Sequence, residues 1–183
     1  MKPWAGLALV GGLFIGSPAL AQLAQNSDAP VDITADELEV LNTQCLATYK
    51  GAAEALQDTV RLRADVLKIF YKAGAAKSAA KGGLGGSCGS ELDHMEAVGS
   101  VYYVTPQQRV RGDAALYDAA ADTITITGDV VAVNGQNVLR GSKLVIKIAT
   151  NDAQMQSGNG KAGRVRTVIY PNQKPAGAAP APR

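Results

Sequence analysis

The chain has 183 residues, 18 basic and 16 acidic, a formal net charge of +2 and 46% hydrophobic residues. That balance suits one domain with a real core, and it lacks the footprint of a nucleic-acid-binding protein, so no nucleic-acid partner is expected. With one histidine, His94, a histidine-based metal cluster is excluded.

Lys2 supplies a short positive start, residues 5–15 an apolar run, and Ala19-Leu20-Ala21 a small-x-small cleavage site. Residues 1–21 therefore read as a cleavable secretory signal peptide, its apolar run too short for a comfortable membrane span. Residues 22–30 follow as an N-terminal linker. Export makes Cys45 and Cys88 candidates for a disulfide rather than for a metal or redox pair.

From residue 31 the chain reads as strand after strand, rich in Val, Ile, Thr and Tyr and punctuated by Gly, Asp and Asn. Asn42-Thr43-Gln44, residues 105–108 and residues 118–122 fit turns, and Asn134-Gly135 is a hairpin signal. No segment carries a helical amphipathic stripe, so the fold is expected to be all-β.

The strands repeat. Ile33-Thr34-Ala35-Asp36, Leu62-Arg63-Ala64-Asp65, Val110-Arg111-Gly112-Asp113 and Leu139-Arg140-Gly141-Ser142 share one frame, at offsets of 29, 48 and 29 residues. The long step is 29 plus a 19-residue insertion. A second series, on Gly51, Gly99 and Gly128, keeps the same step of 48 and then 29. A period of this size marks stacked units, each burying its apolar face against the next.

Within the first series, apolar or small residues fall at i and i+2, then at i+5 and i+7, as in Leu62, Ala64, Leu67 and Ile69. A strand alternates strictly, so this phase change implies a bulge shared by every copy. Bends aligned across neighbouring strands predict two facing antiparallel sheets with a corner, a jelly-roll or flattened coil built from ~29-residue repeats.

Residues 72–90, rich in Gly, Ala, Ser and Lys, read as a flexible insertion. Shifting Cys45 by one repeat reaches position 74, so both cysteines belong to one corner of neighbouring rungs. Pairing is feasible, within one chain or between two chains. After the domain at residues 31–170, residues 171–183 are rich in Pro, Ala and Gly and read as a disordered tail.

No catalytic constellation emerges. Asp93-His94 beside Ser87 lacks a nucleophile motif. Asp36, Asp65 and Asp113 recur at one repeat position, where they cap the bend or face solvent. Arg111-Gly112-Asp113 matches an adhesion tripeptide but is one copy of the repeat. The chain is not expected to be an enzyme, and no cofactor is implied.

The interior remains. One face is expected to collect Ile33, Leu38, Val40, Tyr49, Leu62, Leu67, Ile69, Val101, Tyr103, Ile124, Ile126, Val130, Leu144 and Ile146. Small residues, Ala35, Ala47, Ala53, Ala55, Ala64, Gly112 and Gly141, stand among them. They either complete a packed core or leave an apolar groove for an elongated lipid.

These motifs carry a resemblance. Ile33-Thr34-Ala35-Asp36-Glu37-Leu38-Glu39-Val40, Ala47-Thr48-Tyr49-Lys50-Gly51, the Gly-Asp-x-Ala-x-Tyr-Asp pattern from Gly112 to Asp118, Thr127-Gly128-Asp129-Val130 and Asn137-Val138-Leu139-Arg140-Gly141 resemble the OstA-like family of lipopolysaccharide-transport proteins. The resemblance spans about residues 31–148. It implies a twisted β-jelly-roll in the periplasm of a Gram-negative bacterium, whose interior holds the lipid A acyl chains of lipopolysaccharide. It also implies head-to-tail self-association through the edge strands and a bridge from an inner-membrane LptC-like protein to an outer-membrane LptD-like protein. The sequence departs from the family at Gly51-Ala52-Ala53, which lacks a polar residue and valine after the glycine, and in its cysteine-bearing insertion. The alternative is a structural scaffold or adhesin of the cell envelope with a fully packed core.

Overall fold

The computed structural model describes residues 23–24, 27, 29–74, 88–158 and 164–171. Ten strands follow one another: β1 (Asp32–Thr34), β2 (Glu37–Leu41), β3 (Leu46–Gln57), β4 (Val60–Ala73), β5 (Cys88–Val104), β6 (Arg109–Asp118), β7 (Thr123–Asn134), β8 (Asn137–Lys147), β9 (Asp152–Gln156) and β10 (Arg166–Val168). The expected turns join them, and Gly135 takes the left-handed φ of 59° that the β7–β8 hairpin needs. The expected signal peptide, residues 1–21, and most of the tail lie outside the described residues.

All ten strands share one antiparallel sheet, in the order β1-β3-β4-β5-β6-β7-β8-β10, with β2 also on β3 and β9 also on β8. The pairing register shifts between Lys50 and Ala53, Arg63 and Val66, Val98 and Val101, Arg111 and Ala114, and Thr127 and Val130. These shifts form one line across the sheet. Along that line the five long strands β3–β7 and their neighbour β8 bend, so two halves of a single sheet enclose one hydrophobic core. We call the half with the first part of β4 and β6 the upper half, and the other the lower half.

The corner has a repeating construction. Gly51, Gly99 and Gly128 sit at φ of 81°, 79° and 104°, where a side chain would be strained. Over each glycine lies an aspartate of the paired strand or segment: Asp36 over Gly51, Asp65 over Gly99, Asp113 over Gly128. A Cβ at any of the three would overlap that carboxylate. Asp113 Oδ2 also accepts the backbone N–H of Asp129 at 3.3 Å. In the fourth copy Ser142 replaces the aspartate, and its Oγ donates to the carbonyl of Gln156 at 3.3 Å. The three aspartates are exposed, so the row builds the bend and is no inward carboxylate cluster.

Cys45, in the β2–β3 turn, is disulfide-bonded to Cys88 within the one chain, across a separation of 43 residues. Two boundaries need correction. β4 continues through Lys72 and Ala73, and β5 begins at Cys88, so both ends of the expected 72–90 insertion belong to strands. The pairing of Ala73 with Cys88 explains this: the ladder extends as far as backbone partners exist, whatever the local composition. Residues 75–87 lie outside the described residues.

Candidate functional site

The register converts the repeat into rows of side chains that cross the whole sheet. In the lower half, Leu38, Tyr49, Leu67, Ala97, Ala115, Ile126, Leu144 and Met155 are successive cross-strand partners from β2 to β9. A second row runs Val40, Ala47, Ile69, Met95, Tyr117, Ile124, Ile146 and Ala153. In the upper half, Ile33, Ala55, Leu62, Tyr103, Val110, Ala132 and Leu139 form a third. Directly opposed residues point to one face. The interior is therefore a set of apolar tracks perpendicular to the strands, running from one open edge of the sheet to the other.

Of the residues expected inside, Leu62, Leu67, Ile69, Val101, Tyr103, Ile124, Ile126, Val130, Leu144 and Ile146 are buried. Ile33, Val40 and Tyr49 are half-buried and pack against the core. Two expectations are corrected. Leu38 is 51% exposed, because β2 has a neighbour on one side only and the end of the row stands open. Ala35 is exposed, because it lies between β1 and β2, outside the strand ladder. Among the small residues, Ala47, Ala53, Ala55, Ala64 and Gly112 are buried, and Gly141 is half-buried under Met155. Val110, Met95 and Tyr117 are buried too; their alternation with exposed or half-buried neighbours was a legible signal for membership.

One interior contact comes from outside the repeats. Leu23 and Ala24, in the expected linker, are buried, 1% and 5% exposed. Gln57, itself 2% exposed, accepts both of their backbone N–H groups on Oε1, at 2.5 and 3.1 Å. Its Nε2 donates to the carbonyl of Ala29 at 2.9 Å. Tyr103 Oη donates to the carbonyl of Leu23 at 3.3 Å, and burial pushes its pKa up to about 12, with Asp122 adding to the shift. Nearby, Ala24, Val60 and Tyr103 from one side and Ile146 and Ile148 from the other line a cavity of about 150 Å³ at the seam opposite the corner.

The remaining candidates for chemistry have structural explanations. His94 stacks on Phe70, ring centroids 4.1 Å apart, and its Nδ1 lies 2.7 Å from Asp93 Oδ2. Ser87 lies outside the described residues. Gly112 and Asp113 of the adhesion-like tripeptide are locked in β6, one buried and one over Gly128. Among the described residues there is no group of three metal-ligating side chains.

The family described as LptA/(LptD N-terminal domain) LPS transport protein matches residues 32–152, the span of the bent sheet from β1 to the start of β9. The chain belongs to this family. The lipopolysaccharide export system protein LptA of Escherichia coli (strain K12) is 23% identical over 171 residues, covering 91% of this chain and 85% of that protein. An uncharacterized protein of Rhizobium meliloti (strain 1021) is 29% identical over 177 residues, 92% of this chain and 90% of the relative. Among solved structures, LptH of Pseudomonas aeruginosa superposes with a TM-score of 0.62 at 18% identity, covering 80% of this chain and 99% of that one. That likeness shows the fold, the β-jelly-roll of the LptA-like proteins. LptH is the LptA-homologous periplasmic component of the lipopolysaccharide transport device of that organism.

Proposed function

We propose that this member of a lipopolysaccharide-transport family is a periplasmic bridge that carries lipopolysaccharide from the inner to the outer membrane. The observation that carries the reading is the edge-to-edge run of the apolar rows. An acyl chain lying along a row, at right angles to the strands, would meet hydrocarbon along its whole length and leave at either edge. Each buried methylene contributes about 0.8 kcal/mol, so one chain supplies roughly 8–10 kcal/mol before ordering costs. The bound acyl chains would occupy the space around Leu67, Ile69, Ile126, Leu144 and Ile146, with the sugars toward the open seam.

The two edges fit a head-to-tail stack. β1 and β2 leave one set of backbone groups unpaired and β9 and β10 another, and strand addition between copies would join the apolar rows of successive molecules. The same edges are the surfaces offered to an LptC-like protein at one end and an LptD-like protein at the other. Direction comes from elsewhere: a passive track moves lipid only as fast as a pump loads it.

The interior is filled by the protein's own side chains, Leu23 among them, which favours the second reading, a packed envelope scaffold. Photocrosslinking in cells separates the two. A photoreactive residue at Ile69, Ile126 or Leu144 should capture lipopolysaccharide while one at the outward Thr125 does not. Folded, exported protein that captures lipid at none of these positions leaves only the scaffold.

A further inference from the structure

The two outer faces of the sheet differ in the kind of cation they carry. Every described arginine lies in the upper half or in the segment paired to it: Arg61, Arg63, Arg109, Arg111, Arg140, Arg164 and Arg166. Every described lysine lies in the lower half: Lys50, Lys68, Lys72, Lys143 and Lys147. On the lower face three of the five lysines are neutralised, Lys50 by Glu37 and Glu39, Lys68 by Glu96 and Lys72 by Glu91. On the upper face Arg61 pairs with Glu54 and Arg111 with Asp129. Arg63, Arg109, Arg140 and Arg166 form no salt bridge among the described residues, although Arg63 lies cross-strand from Glu54, the partner of Arg61.

Register places these arginines in ranks. Arg63, Tyr102, Arg111, Val131, Arg140 and Arg166 are successive cross-strand partners, and the next row runs Arg61, Val104, Arg109, Val133, Val138 and Val168. Arg140 and Arg166 are directly opposed, a like-charge pair that destabilises a sheet unless an anion lies between them. They flank an open cleft of about 450 Å³ whose other walls are Val138, Val168 and Tyr170. Tyr170 is held there by its backbone N–H, which donates to Asn137 Oδ1 at 2.9 Å. Tyr102, 48% exposed, adds a second aromatic to the face.

From this arrangement we infer that the arginine face is a docking surface for an anionic phospholipid bilayer. Guanidinium forks match phosphate oxygens two at a time, whereas an ammonium is a point charge. Tyrosine and valine between the arginines suit the boundary between headgroups and acyl chains, where an amphipathic ring and an aliphatic stem both find their medium. The site lies outside the interior and does not depend on what the interior carries. Docking would turn the upper half toward the bilayer and the salt-bridged face toward water, which lays the apolar rows along the membrane, so it describes a molecule outside a head-to-tail stack.

The test uses the mature full chain and phosphatidylcholine vesicles with and without phosphatidylglycerol, read by co-flotation. Binding should require phosphatidylglycerol. Each basic residue near an anionic surface is worth about fivefold in partitioning, so the combined Arg63→Gln, Arg109→Gln, Arg140→Gln and Arg166→Gln variant should lose more than about a hundredfold. The Lys68→Gln, Lys143→Gln and Lys147→Gln combination should lose far less. A reporter guards against misfolding of the fourfold variant. The only tryptophan, Trp4, precedes the expected cleavage site, so Tyr102→Trp and Leu116→Trp each supply a single fluorophore. Emission should shift to the blue on vesicle addition at position 102 and stay unchanged at the oppositely directed 116. Equal binding to neutral vesicles, equal losses from the two charge variants, or a shift at 116 alone would overturn the inference. So would binding to polyglutamate with none to vesicles, which would make the face a site for an acidic polypeptide.

Discussion

Gln57 holds Leu23 inside the sheet: a fully buried side-chain amide accepts the backbone N–H of a residue 34 positions earlier. The interior of this fold is therefore closed partly by chain that precedes the first strand. The link between the two residues can be broken without touching the rows of the core.

Gln57→Leu keeps the volume but orphans the N–H groups of Leu23 and Ala24. The expected cost is about 1–3 kcal/mol, from desolvated donors left without an acceptor. Urea unfolding measures it, and hydrogen exchange at the Leu23 amide should accelerate well beyond that of the β6 amides. An unchanged exchange rate would mean that the segment is held by packing alone.

The corner makes a pairwise prediction. Gly128→Ala should destabilise by more than about 1 kcal/mol, because the new Cβ meets Asp113 and the φ of 104° disfavours it. Asp113→Gly removes the overlap, since the Cβ of Asp113 as well as its carboxylate meets the new Cβ, and leaves the backbone strain. The double variant should thus be more stable than the sum of the single losses predicts, a non-additivity that a double-mutant cycle by thermal unfolding detects.

Cys45→Ser with Cys88→Ser should lower stability by up to about 4 kcal/mol, the loop-closure entropy of the 43-residue separation. The oxidised protein should run as a monomer on a non-reducing gel and yield one peptide joining the two cysteines. A disulfide-linked dimer would contradict the bond described here.

Tyr103 sets an alkaline limit. Its folded pKa is raised from 10.0 to about 12, so the fold holds it neutral while the unfolded chain ionises. The stability it contributes is fully present below pH 10.0 and falls as pH rises toward 12, because the native state binds more protons in that window. The loss is of order 2–3 kcal/mol. Tyr103→Phe should flatten the stability–pH curve there while lowering stability at neutral pH through the lost bond to the Leu23 carbonyl.

The repeat made most of this architecture legible. A step of 29 residues with a phase change inside it states which strands are neighbours, that each bends, and that the bends align, because side-chain alternation is a local property of the backbone. The aspartate row and the shared corner of Cys45 and Cys88 followed from the same count, and the four turns from their own residue types. Local patterns do not say whether a strand is central or at an edge, so Leu38 and Ala35 read as interior and are exposed. Nor do they say that Leu23, in a segment with no strand pattern, completes the core; that depends on Gln57 and Tyr103, 34 and 80 positions away. Arg63, Arg111 and Arg140 hold one position of the repeat, but that arginines and lysines end on different outer faces is not written along the chain. It emerges only when folding at the corner sends the two ends of each long strand to opposite faces, since a charge pattern on a surface is set by register and bend together.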